Sequence, residues 1–333
     1  MLPRLWTLTA ILLGSCEEAR EPEVLRGVAM GTTYEIKFMP SDTAQPEGVV
    51  GARITDELAR FDAVFSTYDS DSEISRFNRH GADGSFAASV EFCDVVIRAL
   101  DVAEKTGGAF DPTVGPLLEL YGFGPGADED PDLPTEQMIR EAKQRIGWRK
   151  IRVNASGSLL RVEQDVELDL NAIAKGTGVD RISGLLDSLG CESYMVEIGG
   201  EVRCRGLKPD GSDWTIGIRG SSEQGGFLAR VPLRNRAMAT SGSHFQFRDT
   251  DVGRVHHIID PRSGSNFQSR VDSVTVVADT CELADALATA LMVLGPQESE
   301  GVLARFAADD VRVLFSMSGP GAPRTVGHRW DFR

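Results

Sequence analysis

Residues 169–202 read DLNAIAKGTGVDRISGLLDSLGCESYMVEIGGEV, and the fold class follows from this stretch. Ile182, Leu185, Leu186 and Leu189 recur at i, i+3, i+4 and i+7, the spacing that lines one face of an α-helix. Asn171 is a preferred N-cap type, so the helix is predicted to start near Ala172. Its first turn then carries Lys175 and Gly176 beside backbone N–H groups that lack helical partners, a place suited to an anion such as phosphate. The alternation of Tyr194, Val196 and Ile198 next predicts a strand running into Gly199-Gly200. Without side chains there, a ligand can lie against the backbone, or the pair simply turns a hairpin.

The same interleaving extends in both directions. Upstream, residues 48–65 show apolar positions at helical spacing, and Ser89 caps a second helix whose Cys93, Val96, Ile97 and Leu100 share one face up to Lys105. Gly107-Gly108 ends it. An acidic Gly/Pro-rich loop, GPGADEDPDLP at 124–134, separates two halves without requiring two domains. A helix over 135–146 and strands at 151–153 and 159–162 follow, so the class is α+β, a mixed α/β chain.

Downstream, DTCELADALATALMVLGP from Asp279 carries its own punctuation. Asp279 with Glu282 fits a capping box, and Gly295-Pro296 sits where helices terminate. Leu283, Leu287, Leu291 and Leu294 supply a buried stripe. Asp285 and Thr289 lie four apart on a different face, so their oxygens can converge on one point. A carboxylate plus a hydroxyl is half of a site for Mg²⁺, which takes few protein oxygens and completes its shell with water and phosphate. The alternative is a solvated helix aspartate.

The whole chain has 333 residues, 41% hydrophobic and 26% charged, enough for a sizeable core and unlike collagen, a disordered tail or a coiled coil. Its 35 basic and 50 acidic residues leave a net charge of −15, the wrong sign for following a phosphate backbone, so no nucleic acid partner is expected. Arg4, the apolar run 5–13 and Leu13-Gly14-Ser15-Cys16 resemble a bacterial lipobox, short of the roughly 20 apolar residues of a membrane span. On that reading residues 1–15 are a signal peptide, Cys16 carries lipid, 16–27 form a flexible tether, 28–320 the folded domain and 321–333 a C-terminal extension. The protein would sit in the cell envelope facing the periplasm, with Glu17 a hint of inner-membrane retention. The alternative is a buried N-terminal strand. Cys93, Cys191, Cys204 and Cys281 show no metal or redox spacing; an oxidising compartment permits up to two disulfides among them, in three connectivities that sequence does not choose between, and buried free thiols are the default expectation.

A series of short segments follows in order along the chain: Ala29-Met30-Gly31-Thr32, Phe65-Ser66-Thr67-Tyr68 with Ser72-Glu73-Ile74, GGAFDPTVGPLLELYGFG from Gly107, and DLNAIAKG from Asp169. Ile198-Gly199-Gly200-Glu201, Ala239-Thr240-Ser241-Gly242, His257-Ile258-Ile259-Asp260-Pro261 with Arg262 and Gly264, and ADALATAL complete the series. Together, in this order, they resemble the ApbE-like FAD:protein FMN transferases. The resemblance implies a T-fold-like core domain with a smaller α/β lobe. It implies Mg²⁺-dependent cleavage of FAD at its pyrophosphate, with FMN placed on a threonine or serine hydroxyl of a flavin-accepting protein and AMP released. Such acceptors include subunits of Rnf- or Nqr-type redox pumps. By the same resemblance the metal ligands are Asp285, Thr289 and the carbonyl of Ala172. FAD contacts fall on Met30, Tyr68, Ala109, Phe110, Asp111, Asp169, Lys175 and Ile259, and His257 is catalytic.

The residue types suit that chemistry. Lys175, a helix N-terminus and a divalent ion can each stabilise the charge that grows as a phosphoanhydride breaks. A histidine with an ordinary pKa near 6.5 can take a hydroxyl proton. Tyr68 offers a flat ring for stacking, or is a core tyrosine; Asp111 contacts nucleotide, or caps its own turn. Tyr121, Asn171 and Thr177 depart from the family's usual tryptophan, glycine and aromatic. The same site with water as nucleophile would be an FAD pyrophosphatase, and without chemistry a FAD-binding lipoprotein.

Overall fold

A computed structural model describes residues 21–40, 48–80, 85–128, 131–154, 159–162, 166–220, 226–251, 253–266, 270–318 and 324–332. The signal peptide and Cys16 lie outside the described residues. The elements are β1 (Glu23–Ala29), β2 (Thr32–Phe38), α1 (Val49–Phe65), α2 (Glu73–Arg79), β3 (Ser85–Ala87), α3 (Val90–Lys105), α4 (Gly115–Leu120) and α5 (Glu136–Gln144). Next come β4 (Ile151–Val153), β5 (Leu159–Val162), α6 (Asn171–Ser188), β6 (Tyr194–Ile198), β7 (Glu201–Arg205), β8 (Trp214–Arg219), β9 (Phe227–Leu233) and β10 (Arg236–Gly242). The chain continues through β11 (Phe247–Thr250), β12 (Gly253–His256), β13 (Val271–Ala278), α7 (Cys281–Leu303), β14 (Arg312–Met317) and β15 (Arg324–His328).

Eight strands form one sheet in the order β1-β2-β6-β7-β10-β13-β14-β15, each neighbouring pair antiparallel. Helices α6 and α7 cover one face. Ile182 and Leu186 cluster with Ile36, Val196 and Ile198, while Leu287 and Leu291 cluster with Val274, Val276 and Val313. The β8–β9 hairpin covers the other face through Trp214, Ile218 and Val231, packed with Val202, Met238 and Leu314. Above α6 and α7 lies a third layer, in which Phe61, Phe65 and Phe92 of α1 and α3 meet Ile173, Ala286 and Ala290. Sandwiched between sheet and outer helices, α7 is buried on nearly every side from Cys281 to Val293, with apolar residues at most of these positions. A smaller lobe joins α4 and α5 to the β11–β12 region through Leu117, Tyr121, Ile146, Val255 and Ile259.

The two central helices cross closely because Gly176 has no side chain. A Cβ there would fall 2.6 Å from the carbonyl carbon of Cys281 and 2.8 Å from Cα of Glu282. This crossing brings the first turns of α6 and α7 together.

Several expectations change at element ends. Helix α6 starts at Asn171 itself, with Leu170 at the cap position, and Asp169 Oδ1 accepts the Asn171 N–H at 2.9 Å. The α7 cap is Thr280, whose hydroxyl accepts the Leu283 N–H, while Asp279 turns to Arg236 at 3.1 Å. Gly295 (φ 67°, ψ 173°) leaves helical geometry, so the first part of α7 ends where its Gly-Pro signal predicted, and a second helical segment opens at Pro296 and runs to Leu303. Residues 23–27, expected in the tether, pair with β2 as part of β1, and 324–328, expected as an extension, form the eighth strand. Ser89 caps α3 as predicted, accepting the Phe92 N–H at 3.1 Å. Cys93, Cys191, Cys204 and Cys281 are buried free thiols, as expected.

Candidate active site

Lys175 and Asp285 face each other where α6 and α7 cross. Lys175 Nζ lies 3.7 Å from Asp285 Oδ1, 3.6 Å from Glu201 Oε1 and 3.4 Å from the carbonyl of Asn171. Asp285 is 2% exposed and Glu201 4% exposed, so the solvated alternative for Asp285 does not hold. Burial raises both carboxyls above their usual range, against the opposing pull of the ammonium. The two carboxylates in turn outweigh burial at Lys175 and keep its ammonium charged well above the usual lysine range.

The residues assigned to a cation by resemblance fit one. Asp285 Oδ2 accepts the Gly176 N–H at 3.0 Å. In a regular helix that N–H belongs to the carbonyl of Ala172, so the donor due to this carbonyl is engaged by the buried carboxylate. Thr289 Oγ1 lies 3.1 Å from Ser241 Oγ, which orients the hydroxyl. Two buried carboxyl groups share one ammonium, and the Thr289 hydroxyl and Ala172 carbonyl would add hard neutral oxygens to a cation held by Asp285. Among the described residues no three His, Cys, Asp or Glu side chains gather to hold a metal, so a cation here depends on this mixed set.

His257 follows β12. Its backbone N–H and Nδ1 both lie 3.1 Å from the carbonyl of Gln246, which can only accept, so Nδ1 carries the proton and Nε2 presents a lone pair. Burial first, then the positive charges of Lys175 and His256, pushes His257 down to about 4, against the pull of the Gln246 carbonyl. The ring is therefore neutral at physiological pH, and the field of Lys175 reaches it. Phe123 packs edge-on against it at 6.3 Å between centroids.

The residues assigned to FAD divide by setting. Met30 occupies the β1–β2 turn with φ of 53°, and its N–H lies 3.3 Å from Asp62 Oδ2. Tyr68 is 74% exposed, which removes the core alternative and leaves its ring free to stack. Asp169 lines a cavity of about 180 Å³ with Thr67, Asn78, Arg79 and Glu119. Asp111 is engaged locally: Oδ1 accepts from the Thr113 N–H and hydroxyl, and Oδ2 from the Trp148 N–H. Its side chain thus serves the turn. Ala109 and Phe110 are buried beside it, and Ile259 is buried in the smaller lobe.

Sequence reasoning passed over three residues here. Glu201 stood in the Gly-Gly-Glu segment, where burial leaves no trace in sequence. Asp180 Oδ1 and Oδ2 accept the Cys281 and Glu282 N–H groups at 3.0 and 2.9 Å, capping α7 from across the crossing. Glu282, read only as a capping residue, pairs with Arg98 and lies 2.8 Å from Thr177 Oγ1. This last contact also explains one departure from the family, since an aromatic at 177 would lose it. The Tyr121 hydroxyl likewise donates to the Gly264 carbonyl at 3.0 Å. Cys16 lies outside the described residues.

Comparison with known proteins places these features in a family. The sequence profile of the ApbE family matches residues 30–315. The chain is 39% identical over 293 residues to the FAD:protein FMN transferase of Vibrio cholerae, covering 88% of this chain and 87% of that protein. It is 36% identical over 298 residues to the Haemophilus influenzae protein of the same name, covering 87% and 86%. Among solved structures it resembles the apo flavinyl transferase ApbE of Pseudomonas stutzeri, with a TM-score of 0.84 and 31% identity over 93% of this chain and 95% of that one. The flavin transferase ApbE of Vibrio cholerae gives a TM-score of 0.83 at 36% identity, covering 93% and 97%.

Proposed function

The chain belongs to the ApbE family and is a flavin transferase, and we propose that it moves FMN from FAD to a threonine or serine hydroxyl of an acceptor protein, with Mg²⁺ and with release of AMP. The observation that carries this reading is the buried cluster of Lys175 and Asp285 at the α6–α7 crossing, within electrostatic reach of a neutral His257.

The Lys175 ammonium, held charged, stabilises negative charge that develops on the pyrophosphate as the anhydride breaks. Asp285, the Thr289 hydroxyl and the Ala172 carbonyl would hold Mg²⁺, which when bound supplies further charge stabilisation there. His257 Nε2 accepts the proton of the attacking hydroxyl, while Gln246 fixes the ring through Nδ1. The exposed ring of Tyr68 stacks on the nucleotide, and the cavity at Asp169 receives part of it. Attack forms the oxygen–phosphorus bond to FMN and breaks the anhydride bond to AMP, which leaves as a phosphate monoester.

Cys16 as a lipid-bearing residue would hold the enzyme at the envelope membrane, facing periplasmic acceptors such as subunits of Rnf- or Nqr-type pumps. Among the described residues no helix is long and apolar enough to cross a membrane. The reading is tested by incubating the chain with FAD, Mg²⁺ and a candidate acceptor domain, then measuring AMP and flavin retained on denatured protein. Equal amounts, abolished by EDTA, support transfer. AMP with only free FMN would make it a pyrophosphatase, and intact FAD with several acceptors a binding protein.

A further inference from the structure

Glu201 has no part in the chemistry above, yet its setting is unusual for a carboxylate. It opens β7 immediately after the Gly199-Gly200 turn and is 4% exposed. Its Oε1 lies 3.6 Å from Lys175 Nζ, and its Oε2 is buried with no hydrogen-bond partner among the described residues. A buried carboxylate with one oxygen unsatisfied is costly and needs a compensating role. The turn that delivers it also makes room for the lysine. Gly199 has φ of 64°, and a Cβ there would come within 3.3 Å of Lys175 Cδ and 2.8 Å of Thr32 Cγ2.

Resting on the transferase reading, we infer that Glu201 is the positioning residue for Lys175, holding its ammonium from the sheet side while the stem passes over Gly199. Lysine is a flexible point charge with three donors, so an unheld ammonium would have to be ordered each time charge develops on the phosphate. Asp285 alone is a poor anchor. Its Oδ2 is taken by the Gly176 N–H, and it is the carboxylate assigned to the cation. Glu201 lies outside that set and is the one that stays with Lys175 throughout the reaction. Its negative charge does nothing for a pyrophosphate directly, so its effect reaches the reaction only through Lys175.

That dependence can be measured in the full-length chain. Glu201→Gln, Lys175→Met and the double variant are assayed for FMN transfer, and FAD affinity is read separately by flavin fluorescence without metal or acceptor. Glu201→Gln is expected to lower kcat about tenfold while the Kd for FAD stays within about threefold, because the loss is in ordering a transition-state contact. In the Lys175→Met background the same substitution lowers kcat no further, and Glu201→Asp, which keeps the charge, recovers part of the rate. An equal loss with and without Lys175, an unchanged kcat, or a kcat loss matched by lost FAD binding would overturn the assignment. Wild-type chain that leaves no flavin on any acceptor would overturn the transferase reading itself, a result visible before any variant is compared.

Discussion

At neutral pH His257 presents an unprotonated Nε2, because burial and the nearby cations disfavour the imidazolium. Its protonated form is the inactive one, and the folded value of about 4 lies below that of a free histidine. Transfer is therefore expected to hold level as pH falls from about 8 to about 5.5, with no acid limb centred near 6.5. A pH–rate profile whose acid limb falls near 6.5 would show that the ring is not shielded as described. His257→Ala is expected to lower kcat by about 10²–10⁴ while FAD affinity, read by fluorescence quenching, is kept. At this scale the sequence disclosed residue types and order well: His257, Lys175 and Asp285 all stand in motifs. It did not disclose burial. Glu201 and Asp285 are both acidic residues in mixed segments, and only the α6–α7 crossing removes them from water.

Helix α6 touches α7 through a missing side chain and a borrowed cap. Gly176→Ala would push a methyl into the Cys281 carbonyl group, and thermal or denaturant unfolding should show a loss of about 1–3 kcal/mol. A change below half a kilocalorie would mean that the crossing is looser than the geometry says. Asp180→Ala strips two N-terminal N–H groups of α7 and leaves Arg203, which lies 2.6 Å from Asp180 Oδ1, without this partner. A loss of about 1–3 kcal/mol is expected, with Asp180→Asn keeping part of it. Local signals explain which element ends were legible. Ser89 caps its own helix from the adjacent position and was readable. Thr280 and Asp180 displaced Asp279, since one cap lies a residue further on and the other is a hundred residues away in sequence. Gly295 and Pro296 were legible too: the backbone leaves the helix at Gly295, and Pro296 opens the segment that follows.

Over the whole molecule, the central helices lie between an antiparallel sheet and an outer helical layer, so Asp285 is buried while Lys175, partly exposed, stays within electrostatic reach of His257 in the smaller lobe. The alternation of helical and strand periods disclosed the mixed class. The pairing of β15 with β14 did not show, because edge-strand residues such as Arg324 and Thr325 carry little apolar pattern. The lipobox reading makes its own prediction: Cys16→Ser should move the protein from the membrane fraction to the soluble fraction with transfer to a soluble acceptor unchanged. Retention in the membrane fraction would dismiss the anchor. The central claim is that the buried Lys175–Asp285 cluster carries flavin transfer, and the most direct test is the intact mass of an acceptor domain after incubation with FAD and Mg²⁺. An FMN adduct with the wild-type chain and none with an equally folded Asp285→Ala chain is the predicted result. An adduct formed by Asp285→Ala at the wild-type rate would contradict it.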